Sequence, residues 1–194
     1  MKTLNKNYWE NRYKSNSTGW DVGYITPPLQ QYIDQLADKN LKILIPGAGN
    51  GYEFEYLYNQ GFKNSFVADI AGQPLENIKH RIPKIAKNHL IHGDFFEIED
   101  KFDLVLEQTF FCALNPELRK KYAEKMYSIL NPGAKLAGLF FQFPLTLDGP
   151  PFGGSREEYI EIFSPLFTIK TLETAYNSIK PREGRELFFI FEKK

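Results

Sequence analysis

From Leu41 onward, short apolar runs alternate with longer amphipathic stretches, and the alternation predicts strands and helices in turn. Leu41, Ile43, Leu44 and Ile45 form the first run, which reads as a buried strand. "YEFEYLYNQG" is a helix that stops near Gly61, and "SFVADI" is the second strand. "PLENIKHRI" is the next helix, "HLIHGD" the third strand and "FDLVLEQ" the fourth. "NPELRKKYAEKMYSILNPG" predicts a helix with Asn115 as its cap and Pro116 in its first turn. Its inward face is Leu118, Tyr122, Met126 and Ile129. "AKLAGLFFQF" is a fifth strand, followed by a Pro/Gly-rich loop and a short helix at "REEYIEIF". The chain closes with "FTIKTLE" and "RELFFIFEK", two alternating strands with no helix between them.

Strands separated by helices pair in parallel, whereas the last pair should be antiparallel. The expected fold is therefore α/β, a seven-stranded doubly wound sheet with a closing antiparallel hairpin. Ahead of it, "NYWENRYKSN" predicts a short helix and "TGWDVGY" a polar turn. "TPPLQQYIDQLADKN" is a second helix, with Thr26 as its cap and Leu29, Tyr32, Ile33 and Leu36 on one face. The expectation is one domain over 1–194, with residues 1–40 as a helical segment covering a ligand and 41–194 as the core.

Composition narrows the function by exclusion. The 24 basic and 24 acidic residues cancel, which argues against nucleic acid or an anionic membrane surface as the main partner. One cysteine, Cys112, precludes an internal disulfide and a Cys-rich metal site. No run approaches the length of a membrane span, and no apolar leader opens the chain. A cytoplasmic monomer acting on a small molecule is expected.

The candidate chemistry lies at the ends of the predicted strands. Gly47, Gly49 and Gly51 follow the first strand in G-x-G-x-G spacing, unlike the G-x-G-x-x-G of dinucleotide folds. Asp69 ends the second strand, where a carboxylate can accept hydrogen bonds from both hydroxyls of a ribose. Asp94 ends the third and Glu107 the fourth, so three acids face the crevice where such sheets bind ligands. Taken singly, each could simply cap the next turn. Together they suit adenine, ribose and a cationic amino-acid tail better than NAD, and S-adenosylmethionine is the expected cofactor. His89 and His92, placed on one strand three apart, are read as structural or solvent-facing, so no metal site is expected. Cys112 reads as a small core thiol.

The motifs "YWENRY…TGWDVGYITPPL", "ILIPGAGNGYE", "ADI", "HGDFF", "EQTFFCALNPELR" and "DGPPFGGSREEY" run in order along the chain. Over about residues 7 to 186 they resemble the thiopurine S-methyltransferase superfamily, and within it the halide and thiol methyltransferase branch. That resemblance implies a class I methyltransferase that uses S-adenosyl-L-methionine. It implies that Trp9, Tyr13 and Trp20 cover the cofactor and that Gly47 holds its methionine tail. Asp69 would hold the ribose, and Asp94 with the backbone of Phe95 the adenine. Glu107 and Gln108 complete the cofactor set, where relatives carry Asp-Tyr or Asp-Arg. Phe111 and Phe152 are expected to build a dry acceptor pocket, Phe152 standing where the branch has tyrosine. No residue emerges as a general base, so no catalytic side chain is assigned. The acceptor implied is a thiol, hydrosulfide, thiocyanate or halide. A larger aromatic thiol of thiopurine type, a non-catalytic sensor of the cofactor and an NAD-dependent reductase are the alternatives.

Overall fold

The computed structural model describes residues 3–194, so residues 1 and 2 of the expected covering segment lie outside the described residues. Contacts gather the chain into two compact units that divide between Ile98 and Glu99.

The first unit opens with helix α1, Lys6–Lys14, whose N-terminus is capped by Asn5, the side chain accepting the Tyr8 N–H at 3.0 Å. Helix α2 spans Pro27–Asp34 and buries Leu29, Tyr32 and Ile33. It is shorter than expected and ends before Leu36. Asp38 Oδ1 accepts the Asn40 N–H at 2.9 Å, a local turn that competes with further helix. Thr26 occupies the N-cap position but makes no side-chain capping bond. Strands β1 (Ile43–Pro46), β2 (Ser65–Asp69) and β3 (Leu90–His92) pair in parallel, with helices α3 (Tyr52–Asn59) and α4 (Gly72–Arg81) between them. All four β1 residues are buried, as the apolar run requires. His89 lies in a 3-10 turn before β3, not on the strand as expected. Its Nδ1 is 2.7 Å from the Ser65 carbonyl oxygen and its ring stacks on Phe66.

The second unit begins with β4 (Phe102–Gln108), which pairs in parallel with β5 (Leu130–Phe141). Asn115 does cap, but it caps a 3-10 turn at Pro116–Leu118, accepting the Glu117 N–H at 3.2 Å, and helix α5 starts only at Arg119 and runs to Ile129. Helix α6 (Arg156–Phe163) is capped by Ser155, which accepts the Glu158 N–H at 3.2 Å. The closing strands β6 (Phe167–Thr174) and β7 (Glu186–Lys193) are antiparallel, and β7 is antiparallel to β5 as well. The core of this unit is aromatic: Phe140 stacks on Phe189 at 4.0 Å and packs beside Tyr159 and Phe163. The seven strands run in the order β3-β2-β1-β4-β5-β7-β6, the mixed, doubly wound sheet read from the sequence. Among the described residues no helix is long and apolar enough to cross a membrane.

Candidate active site

The glycine spacing is explained by backbone angles. Gly47, Gly49 and Gly51 have φ of 68°, 53° and 69°, a left-handed region that only glycine enters at little cost. The N–H groups of Gly47 and Ala48 donate to the Ala68 carbonyl at 2.8 and 3.1 Å, fastening the turn to β2. At Gly51 packing adds to the constraint, because a Cβ there would stand 2.4 Å from Ile78 Cδ1. Helix α3 follows directly and presents its N-terminus beside the turn.

Asp69 ends β2 half-buried, with its Oδ1 accepting the Ala71 N–H at 2.8 Å. Burial pushes its carboxyl up to about 6, against the N–H groups of Ala71, Ala48 and Gly49, and the Glu10 carboxylate raises it further. The turn after β3 lies at the same end of the sheet, since the Gly93 N–H donates to the Asp69 carbonyl at 3.0 Å. Asp94 caps the 3-10 turn Phe95–Glu97 through the Phe96 N–H at 2.9 Å, and Phe95 is buried.

The three N-terminal aromatics pack on one another, and Trp20 lies beside the glycine turn. Trp20 meets Trp9 and Tyr13 edge-on, each at 5.6 Å, and the Arg12 guanidinium lies 5.4 Å from the Trp20 ring centre. Trp20 Nε1 is 4.0 Å from where a Cβ on Gly49 would stand. The buried Tyr13 hydroxyl is pushed well above its ordinary range by burial and by the Asp69 carboxylate, while a hydrogen bond with Trp20 opposes the shift.

Three further residues fasten this segment, and none was expected from the sequence. Glu10 Oε1 accepts the Gly72 N–H at the start of α4, at 2.8 Å. Asp21 accepts the Gly23 N–H at 2.8 Å with one oxygen and the Asn50 amide with the other. Asn50 in turn accepts from the Asn77 amide at 2.8 Å, and its carbonyl accepts from Arg81, which also pairs with Glu55 at 2.6 Å. Their partners lie 62, 29 and 27 residues away, so no local pattern marks them. His92 Nε2 lies 3.2 Å from the Ile70 carbonyl oxygen, and no group of metal-ligating side chains occurs among the described residues.

In the second unit the turn after β4 is built from a buried acid. Glu107 is fully buried, and both of its oxygens are engaged. Oε1 accepts the N–H groups of Phe110 and Phe111 at 2.8 and 2.9 Å, and Oε2 accepts the Tyr122 hydroxyl at 2.5 Å. Burial pushes its carboxyl up to about 7, and these three bonds hold it from rising further. The partners of Glu107 all lie inside the second unit. Between Glu107 and the phenylalanines, Thr109 is left-handed at φ 57°, a conformation costing a β-branched residue ~1–3 kcal/mol. Gln108 ends β4 half-buried.

Phe111 lies in the aromatic core of this unit. It is 1% exposed and packs on Tyr122, Phe140, Tyr159 and Phe163, because the captured N–H groups turn its side chain inward. Phe110 is the half-buried ring of this turn. Phe152 is also buried, at 2%, and its N–H donates to the Cys112 carbonyl at 2.7 Å. That bond ties the "GPPF" loop to the turn after β4. Arg119 holds the same loop from α5, donating to the Gly153 carbonyl and to Glu158, each at 2.6 Å. Cys112 is buried, its thiol pushed far up by desolvation and by the nearby Glu107 carboxylate, and its Sγ is 3.4 Å from the Thr109 carbonyl oxygen.

The similarities to known proteins agree with this architecture. Solved structures of the same fold include 1,6-didemethyltoxoflavin-N1-methyltransferase from Burkholderia thailandensis, crystallised with S-adenosylhomocysteine. It is 16% identical with a TM-score of 0.75, over 97% of this chain and 87% of that one. The N-methyltransferase NodS from Bradyrhizobium japonicum is also 16% identical, with a TM-score of 0.68 over 94% and 98%. By sequence, the chain is 30% identical to "Probable thiol methyltransferase 2" of Arabidopsis thaliana, covering 92% of this chain and 81% of the relative. It is 28% identical to "Thiocyanate methyltransferase 1" of the same plant, over 95% and 84%. A thiopurine S-methyltransferase of Vibrio cholerae is 28% identical over 80% and 79%. The profile of the family described as Thiopurine S-methyltransferase (TPMT) matches residues 4–193. The chain belongs to the thiopurine S-methyltransferase family and is an S-adenosyl-L-methionine-dependent methyltransferase of the class I fold.

Proposed function

We propose that this methyltransferase acts on a small soft nucleophile, a thiol, hydrosulfide, thiocyanate or halide, which arrives already deprotonated. The first unit fits S-adenosyl-L-methionine. Its left-handed glycines let a ligand approach the main chain. Asp69 is an acceptor-only group at the end of β2, suited to a pair of hydroxyls. In this reading Gly47 lies along the methionine tail, and Asp94 and the backbone of Phe95 meet the adenine. Trp9, Tyr13 and Trp20 cover the cofactor and exclude water. When bound, the cofactor supplies a methyl group on a positively charged sulfur that leaves without protonation.

The protein's task is then alignment and desolvation of the acceptor. The half-buried Phe110 and the loop at Phe152 form the apolar side of that site. The observation that carries the reading concerns the titratable groups around the turn after β4. Glu107, Cys112, Tyr122 and Tyr159 are all buried, and each is engaged within the second unit. None is presented as a base. The thiol and thiocyanate methyltransferases among the relatives support the same acceptor class.

The test is kcat/KM against pH for iodide and for two thiols of different acidity. Each thiol should rise with pH and level near its own pKa, because the thiolate is the nucleophile. Iodide has no proton to lose and should stay nearly flat. One inflection shared by all three would reveal a protein base. Turnover of an aromatic thiol alone would favour the larger acceptor.

A further inference from the structure

We infer that Glu107 is a positioning residue for the methyl acceptor, acting by holding the left-handed turn after β4 rather than by touching the cofactor. The inference rests on the proposed acceptor site for its kinetic consequence, but its structural content stands apart from the acceptor's identity.

Both carboxylate oxygens of Glu107 are engaged inside the second unit. Two backbone N–H groups and a buried phenol occupy them, all within 2.9 Å. A carboxylate that gathers successive N–H groups from the residues three and four ahead of it fixes the path of the backbone between them. That path needs fixing, since Thr109 sits at φ 57° and would relax to negative φ if nothing opposed it. β5 is pressed against the same point, where a Cβ on Gly138 would lie 2.1 Å from the Glu107 carbonyl oxygen. The strand therefore cannot shift to take up the slack.

The consequence travels along named bonds. With the turn held, the Phe111 ring enters the aromatic core and the Phe110 ring remains half-buried. The Cys112 carbonyl then stands where the Phe152 N–H reaches it at 2.7 Å. The Pro/Gly-rich loop takes its position from that bond and from Arg119 at Gly153. Releasing Glu107 would free the turn and, through Cys112, the loop opposite it. The first unit's cofactor contacts involve none of these groups. The extra methylene of Glu107 relative to aspartate suits this role, because it lets the carboxylate reach back to both N–H groups and to Tyr122 on α5.

The test compares Glu107→Ala, Glu107→Gln and Tyr122→Phe by amide hydrogen exchange over residues 108–113, S-adenosylhomocysteine affinity, and the split of KM from kcat for the acceptor. In Glu107→Ala the amides of Phe110 and Phe111 should exchange at least about tenfold faster, the acceptor KM should rise about tenfold and the S-adenosylhomocysteine Kd should stay within about twofold. Glutamine retains an oxygen for both N–H groups, so Glu107→Gln should restore protection and KM to within about threefold of wild type. Tyr122→Phe removes one bond of three and should fall between the two variants.

Weakening of S-adenosylhomocysteine by about tenfold in Glu107→Gln or Tyr122→Phe would make Glu107 a cofactor ligand and overturn the inference. Unchanged exchange in Glu107→Ala would overturn it as well. Should Glu107→Ala not fold, the other two variants decide, and adding Thr109→Gly to Glu107→Ala should recover folding, since glycine takes the left-handed angle freely. If the wild type turns over none of the small acceptors, the proposed function fails. The exchange and cofactor measurements still judge Glu107.

Discussion

Replacing Asp69 by asparagine should stabilise the protein and weaken its cofactor in the same step. The carboxyl is raised from 3.8 to about 6, with burial as the leading cause. A raised acid pKa means that the folded chain keeps a proton which the unfolded chain has released. Stability therefore falls as pH rises from about 4 to about 6, and above that the full cost of about 3 kcal/mol is present. Asp69→Asn removes the buried charge and keeps an oxygen for the Ala71 N–H. At about pH 7.5 it should gain up to ~3 kcal/mol in urea denaturation. Ribose hydroxyls bound to a carboxylate are charge-assisted, worth ~1.5–3 kcal/mol, so the same variant should bind S-adenosylhomocysteine about 10- to 150-fold more weakly. Calorimetry across pH adds a signature. Hydroxyl donors favour the charged form, so wild-type affinity should fall as pH drops below about 6, while the asparagine variant stays flat. Binding within about twofold of wild type, or a loss of stability alongside the loss of binding, would refute the assignment of Asp69 to the ribose.

Two other outcomes follow from the first unit. Gly51→Ala should cost ~2–4 kcal/mol in urea denaturation, combining a left-handed alanine with a methyl driven into Ile78. Gly61→Ala, at φ 87° with open space around its Cβ, should cost only ~1 kcal/mol, and equal losses would show that packing at Ile78 is not decisive. For the aromatic segment, limited proteolysis before Pro27 should slow when S-adenosylhomocysteine is added, and Trp20→Ala should abolish that protection. Equal cleavage with and without the ligand would exclude a cover that responds to the cofactor.

The order of strands and helices was legible because each element carries its own period. β1 is buried on all four residues, and β7 alternates as a sheet face must. The errors fall where a local polar contact overrides the period. Asp38 turns the chain just beyond the point where α2 stops, and Asn115 draws the first residues of the expected helix into a 3-10 turn. His89 leaves β3 because its ring is fastened to Ser65 and Phe66. In each case a single hydrogen bond or ring contact outweighs a propensity worth a few tenths of a kcal/mol per residue.

The site divides along the same line, and the division says what a strand-end acid can mean. Asp69 and Glu107 occupy similar places in the sequence pattern, Asp69 as the last residue of β2 and Glu107 as the last but one of β4. Their environments differ in what competes for the carboxylate. Beside Asp69 the turn is made by left-handed glycines, which build the bend without a side chain, so the acid takes up Ala71 as a cap and is shaped to accept more. After β4 the left-handed position is Thr109, which cannot hold the bend unaided, and Glu107 is drawn inward to do so. Tyr122 completes the capture from 15 residues away, across a helix whose inward face was legible but whose hydroxyl partner was not. The left-handed glycines beside Asp69 come from the neighbouring turn after β1, whereas the left-handed Thr109 stands in Glu107's own turn, two residues along the chain. Where neighbouring glycines make the bend the carboxylate keeps capacity to accept further donors, and where threonine must make it the carboxylate is taken up by the backbone.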